Sequence, residues 1–274
     1  MPPCFIIKGN VMETGTEDLV NHHFKNMAAC RKGIRHQDKE RIHQFRVSYK
    51  KLRALLRLAF FQLTLPAIPR NLRSLYAATG RIRDLQLAEE QLRNYLIKHE
   101  LPPGDLFHLF WKKKSNAIRD LRELLDKDRF KQSWKKILAS SPPETPPAAA
   151  TEFIRQQKNK VLFMVAAGGF TDEKIHQIRK YLKDLFYTQS FSGAEDKQLQ
   201  PLLHELGIFH DHCIMLDLFD PSWQQKLRKK DRSILQGFLR EEERKKNILK
   251  TELIWKLNAS YAIRLLPQPE KILG

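Results

Sequence analysis

Cysteine is scarce in this 274-residue sequence: Cys4, Cys30 and Cys213 are the only three, and no two form a CxxC pair. Their odd number and wide spacing exclude a disulfide framework and the common zinc signatures. They are read as free thiols in a reducing cytoplasm. Long apolar runs are also missing. The longest, such as Val161 to Ala167, fall well short of the roughly 18 residues a transmembrane helix needs. The first residues, Met1 to Lys8, lack the charged and apolar regions of a signal peptide. The expectation is a cytoplasmic protein with no membrane insertion. Glycine is sparse, at 11 residues, and alternating strand patterns are absent. Acids are outnumbered, with 31 Asp and Glu against 49 Lys and Arg.

What is present follows from those absences. Hydrophobic residues make up 42% of the chain, enough for a buried core, and the length suits one large domain or two small ones. Abundant Lys, Arg, Leu and Ala favour helices. The net charge of +18 repels itself and implies an anionic partner, whether nucleic acid, membrane surface or another polyanion.

Helical periodicity runs almost throughout. Helices are expected from Thr16 or Asp18 to about Lys32, over about 39–63 behind an Asp38 N-cap, and from about Pro69 to Glu100. Others are expected over about 105–126 and 129–139. Four prolines between Ser140 and Pro147 predict an extended linker, placed at 140–150. A helix near 151–167 follows, then one capped by Thr171. A Ser/Gly loop near 190–194, a helix through Gly207 and a break at Pro221 precede a charged tail of one or two helices over about 222–266. The whole is expected to be a single unit over 1–274, with helical bundles at 15–139 and 151–266.

One segment occurs twice. His43-Gln44-x-Arg46 leads into Lys50, Arg53 and Arg57, and His176-Gln177-x-Arg179 leads into Lys180 and Lys183. Each is followed by a glycine and a basic-Asp pair: Gly80 with Arg83-Asp84, and Gly207 with His210-Asp211. At about 100° per residue, Arg46, Lys50, Arg53 and Arg57 share an arc of roughly 80° beside His43. Phe45, Leu52, Leu55, Leu56 and Ala59 take the opposite side. The second copy puts Arg179 and Lys183 beside His176, Lys180 at the edge, and Ile178, Tyr181, Leu182 and Leu185 opposite. Solvated helix faces usually alternate sign at i,i+4, yet no acid stands between His43 and Arg57. Two such stripes point to a polyanion, for which Arg offers bidentate donors and Lys point charge. Duplication of a whole helical unit about a pseudo-twofold axis is the reading of the matched element order.

These motifs, in this order, resemble the CHAD family of conserved histidine α-helical domains over roughly residues 15–260. The resemblance implies an all-α fold of two helical bundles related by pseudo-twofold duplication around a basic central groove or pore. It implies binding of inorganic polyphosphate and association with polyphosphate granules, without a catalytic centre, cofactor or metal. The binding residues are then His43, Arg46, Lys50, Arg53 and Arg57 on one wall, and His176, Arg179, Lys180 and Lys183 on the other. Lys50-Lys51 stand where the family prefers Arg-Arg, and Asp184 and Phe186 where it tends to basic residues. The first stripe is therefore expected to carry more of the binding.

Two rival readings remain open. His176, His210-Asp211 and Asp231 outline an HD-type metallophosphohydrolase, in which a divalent ion would activate water. Arg83, which matches His210 in the first copy, cannot ligate a metal, so the Asp after it is assigned to packing or capping. Nucleic-acid binding is the other, but no zinc-finger, RRM-like or KH-like signature appears. Nucleic acid is expected to bind only non-specifically. The cluster Lys112-Lys113-Lys114, Arg119 and Arg122 is read as solvated surface, and Trp111 and Trp134 as core.

Overall fold

A computed structural model describes residues 15–61, 63–64, 67–127, 129–191, 199–219 and 224–265, with side chains as far as 259. Cys4, most of the Ser/Gly loop after Phe191 and Pro221 lie outside the described residues. Those described form helices and connecting turns with no strand. The helices are α1 (Thr16–Arg35), α2 (Lys39–Ala59), α3 (Arg70–Lys98), α4 (Leu106–Asp126), α5 (Phe130–Ser140), α6 (Pro147–Ala166), α7 (Asp172–Phe191), α8 (Leu199–Leu218) and α9 (Lys229–Leu265).

Local chemistry sets most of the boundaries. Asp38 accepts hydrogen bonds from the backbone N–H of Glu40 and Arg41, both at 2.9 Å, and so starts α2. Thr171 Oγ1 accepts from Lys174 N at 3.2 Å and starts α7. The linker is shorter than expected, because α6 begins at Pro147 rather than near 151. Proline suits the first helical position, where its missing N–H costs nothing, and three alanines follow it. What remains extended is pinned to the start of α1: Pro143 O accepts from Thr16 N at 3.0 Å. The charged tail is one long helix, α9.

The apolar stripes of α2 and α7 are buried where helical projection put them. Phe45, Leu52, Leu55, Leu56 and Ala59 lie in the interior, as do Ile178, Leu182 and Leu185. Two apolar clusters result. One is built mainly from α1–α5, yet it also takes in Phe153, Tyr187, Phe191, Met215 and the α9 residues Leu235 and Phe238. The other gathers Val161, Ile175, Ile178, Leu206, Phe209, Leu253 and Leu257 from α6–α9. Burial of these side chains, at about 25 cal/mol per Å² of apolar surface, is the main force holding the helices together. The 37 residues of α9 touch both clusters. Three of its lysines are met by acids on other helices: Lys246 and Lys250 by Asp172 at 2.9 and 2.6 Å, and Lys256 by Glu205 at 2.6 Å.

Helix α2 pairs with α1 and α3 on its own side and with α7 across the middle of the molecule; α3 likewise meets α8. The polar faces of α2 and α7 are thereby turned toward a shared space. Trp134 packs on Phe24, ring centroids 5.7 Å apart, and donates to Asn21 Oδ1 at 2.8 Å. Trp111 departs from expectation. It is 67% exposed, because its neighbour Phe110 takes the inward position on α4.

Candidate anion-binding site

Helices α2, α3, α7 and α8 enclose a cavity of about 300 Å³. Eight of the nine residues assigned from sequence line it: His43, Arg46, Lys50, Arg53, His176, Arg179, Lys180 and Lys183. His43 sits at the exposed rim. The ninth, Arg57, does not line this cavity. It forms an ion pair with the buried carboxylate of Asp184 and lines an adjoining pocket. Asp184, which breaks the second stripe in sequence, therefore also takes the last cation of the first.

The charges inside are unbalanced. Arg46, Lys50, Arg53, Arg179, Lys180 and Lys183 make no ion pair among the described residues. Lys246, Lys250 and Lys256 of α9, each facing a carboxylate, show that this is not the fate of every cation here. Burial, reinforced by Lys183, Arg46 and Arg179, pulls the Lys50 ammonium down to about 7. Burial and Arg179 bring Lys183 down to about 8, against the pull of Asp211. His176 falls to about 4 and His210 to about 3, chiefly through burial and then through the neighbouring cations. For these groups burial and like charges outweigh whatever pull the nearby carboxylates exert.

Hydrogen-bond donors are unused as well. Arg53 Nε, Arg179 Nε and His176 Nδ1 are buried with no hydrogen-bond partner among the described residues. Orphaned polar atoms are uncommon in folded proteins and mark places where something else is received.

Arg46 is held in position. Its Nη1 donates to Tyr76 O at 3.0 Å, and its guanidinium carbon lies 4.5 Å from the Tyr76 ring centroid. Tyr76 is in turn stacked on Tyr49, with centroids 4.1 Å apart. Gly80 makes room for this arrangement, since a Cβ there would lie 2.5 Å from Arg46 Nη1. Its counterpart Gly207 faces open space, so the paired glycines do different things. Gly80→Ala should push the guanidinium off Tyr76 and weaken anion binding about tenfold, about 1.4 kcal/mol, with the helical circular-dichroism signal unchanged. Calorimetric titration would measure it.

The CHAD domain model matches residues 18–220. The chain belongs to the CHAD family. Solved structures with a similar fold include two that span most of the chain. One is the CHAD domain from the plant Ricinus communis, at 17% identity and a TM-score of 0.73, covering 92% of this chain and 92% of that one. The other is PptA from Streptomyces chartreusis, at 14% identity and a TM-score of 0.71, covering 90% of this chain and 100% of that one. No curated protein sequence matches the chain.

The cavity of this CHAD chain also contains residues not assigned from sequence: Tyr76, Arg83, Asp84, Tyr187, His210 and Asp211. Arg83-Asp84 and His210-Asp211 were visible as repeated pairs, and their recurrence was the available signal. Their carboxylates line the cavity, a correction to their assignment to packing or capping. Asp84 is raised above the ordinary carboxylate range by burial, which outweighs the nearby Arg46. Tyr76 and Tyr187 gave no sequence signal, since a tyrosine one helical turn along reads as core.

The HD-type constellation is not assembled. His176 and His210 do meet, with ring centroids 4.4 Å apart. Asp231 lies elsewhere, on α9, where its carboxylate accepts from Asp105 N at 3.4 Å. It fits against Gly104, where a Cβ would come within 2.0 Å of its Oδ1. His212 is turned to Glu242 on α9 at 2.8 Å. Among the described residues, no three His, Cys, Asp or Glu side chains are grouped to hold a metal ion. No described helix is long and apolar enough to cross a membrane.

Proposed function

We propose that the chain binds inorganic polyphosphate, without catalysis, in the cavity between α2 and α7. The observation that carries this reading is the set of unpaired cations, most of them half-buried, and of orphaned donors facing one space. A polyphosphate chain presents anionic oxygens at every unit and would answer all of them at once. Guanidinium groups would take the oxygens bidentately, and the two lysines would regain their protons. The CHAD resemblance supports the same ligand and suggests granule association. The repeated element order supports a duplicated, pseudo-twofold arrangement, with the two walls contributed by corresponding helices.

Duplex nucleic acid fits less well. Its phosphates lie on the outside of a rigid rod, and the unpaired cations here are recessed in a cavity of about 300 Å³. Competition at physiological salt decides between them, since both ligands depend on salt. Long-chain polyphosphate should displace labelled duplex DNA at far lower phosphate concentration than the reverse. Preference for DNA would contradict the reading.

A further inference from the structure

A second pocket, of about 500 Å³, opens beside the phosphate cavity and lies within the roughly 300–1,000 Å³ typical of small-molecule sites. The two share Arg53, Lys180 and Asp184 and therefore adjoin. Their walls differ in kind. Beside its cations Arg57 and Lys160 the second carries aromatic rings, with Phe60 and Phe61 from the turn after α2, Phe153 from α6 and Tyr181 from α7. Phe61 and Phe153 meet edge to face with centroids 5.5 Å apart, and Lys160 Nζ stands 5.7 Å from the Tyr181 ring.

Gln157 lines this pocket. It is only 6% exposed, yet its amide makes no hydrogen bond among the described residues. Its amide nitrogen and oxygen are not sealed from solvent, so both donor and acceptor are open to a ligand in the pocket. The repeated His-Gln-x-Arg motif points the same way. Gln44 is engaged by Glu40 and Arg41 at 2.8 and 3.1 Å. Gln177, its counterpart, lines the aromatic pocket and makes no hydrogen bond among the described residues.

This pocket is also lined by Arg53, Arg57, Lys160 and Lys180, with Asp184 paired to Arg57, so phosphate is not excluded from it; what sets it apart is its rings, to which phosphate offers nothing. A sugar hydroxyl, by contrast, donates to a carboxylate, as ribose does in dinucleotide sites. A flat base fills a ring-lined space, and a glutamine amide matches the donor–acceptor edge of adenine. We propose that this pocket receives the nucleoside of a purine nucleoside polyphosphate whose phosphates occupy the neighbouring cavity. The proposal rests on the polyphosphate reading of that cavity and adds a second ligand class to it.

Calorimetry on the full chain with ATP and with tripolyphosphate, in the absence of divalent metal, tests it. Both carry three phosphates, and tripolyphosphate has the higher charge, so electrostatics alone would favour tripolyphosphate. ATP should nevertheless bind at least tenfold more tightly. Gln157→Leu, close in volume, should abolish most of that preference while leaving tripolyphosphate affinity in place. The comparison on the unaltered chain stands even if the variant folds poorly. Equal affinities, or tighter tripolyphosphate, would overturn the base pocket and leave the polyphosphate reading standing. Failure of both compounds to bind would overturn both readings.

Discussion

Replacing Arg46 and Arg53 together by alanine should weaken polyphosphate binding by at least 100-fold while leaving the helical content intact. Charged hydrogen bonds contribute about 1.5–3 kcal/mol each, so loss of two in a recessed site spans two to four decades. Both guanidiniums line the cavity; one is fixed on Tyr76, and the other has an orphaned Nε. The fold should survive, because neither residue lies in the apolar clusters of α2. Removing two unpaired, half-buried charges also relieves repulsion in the ligand-free protein. A charge-matched control is provided by Arg119 and Arg122, both exposed on α4. Arg119→Ala with Arg122→Ala lowers net charge equally and should cost only a few-fold, since exposed charges act through a screened field. Titration calorimetry on the two double variants compares site with field. Equal losses would mean that total charge, rather than this cavity, holds the anion.

Polyphosphate affinity should fall by on the order of 100-fold between pH 7 and pH 9, a steeper loss than surface lysines would give. In the free protein Lys50 titrates at about 7 and Lys183 at about 8. A bound polyanion raises both toward or above the ordinary lysine value, so the complex holds more protons than the free protein. Binding therefore takes up protons and weakens as pH rises through the free-state values. Ordinary exposed lysines, near 10.4, stay charged over this interval and would give a nearly flat profile. Lys50→Arg should flatten the profile and restore affinity at pH 9, because arginine stays protonated. Proton uptake would also appear as a dependence of binding enthalpy on buffer ionisation.

How much was legible in the sequence depended on periodicity. The helices of α2 and α7, their apolar faces and the Asp38 and Thr171 caps all follow from side-chain type and spacing. A stripe of cations in one arc of a helix is also a one-dimensional pattern, which is why eight of its members were found in the cavity. The exceptions are three-dimensional. Arg57 lies in the same arc, but Asp184 reaches it across the interface of α2 and α7. Asp84 and Asp211 looked like caps because their role depends on how α3 and α8 face one another. Trp111 carried an apolar label, yet Phe110 beside it had the better inward direction. Pro147 was read as a breaker, although at a first helical position it begins one.

A crystal structure of the chain with tripolyphosphate bound would decide most directly where the anion goes. Phosphate oxygens should lie between α2 and α7, within hydrogen-bond reach of the Nε atoms of Arg53 and Arg179, with His43 and His176 at either side. An anion on the outer surface, around Lys112 to Lys114 for example, with the cavity empty, would contradict the assignment.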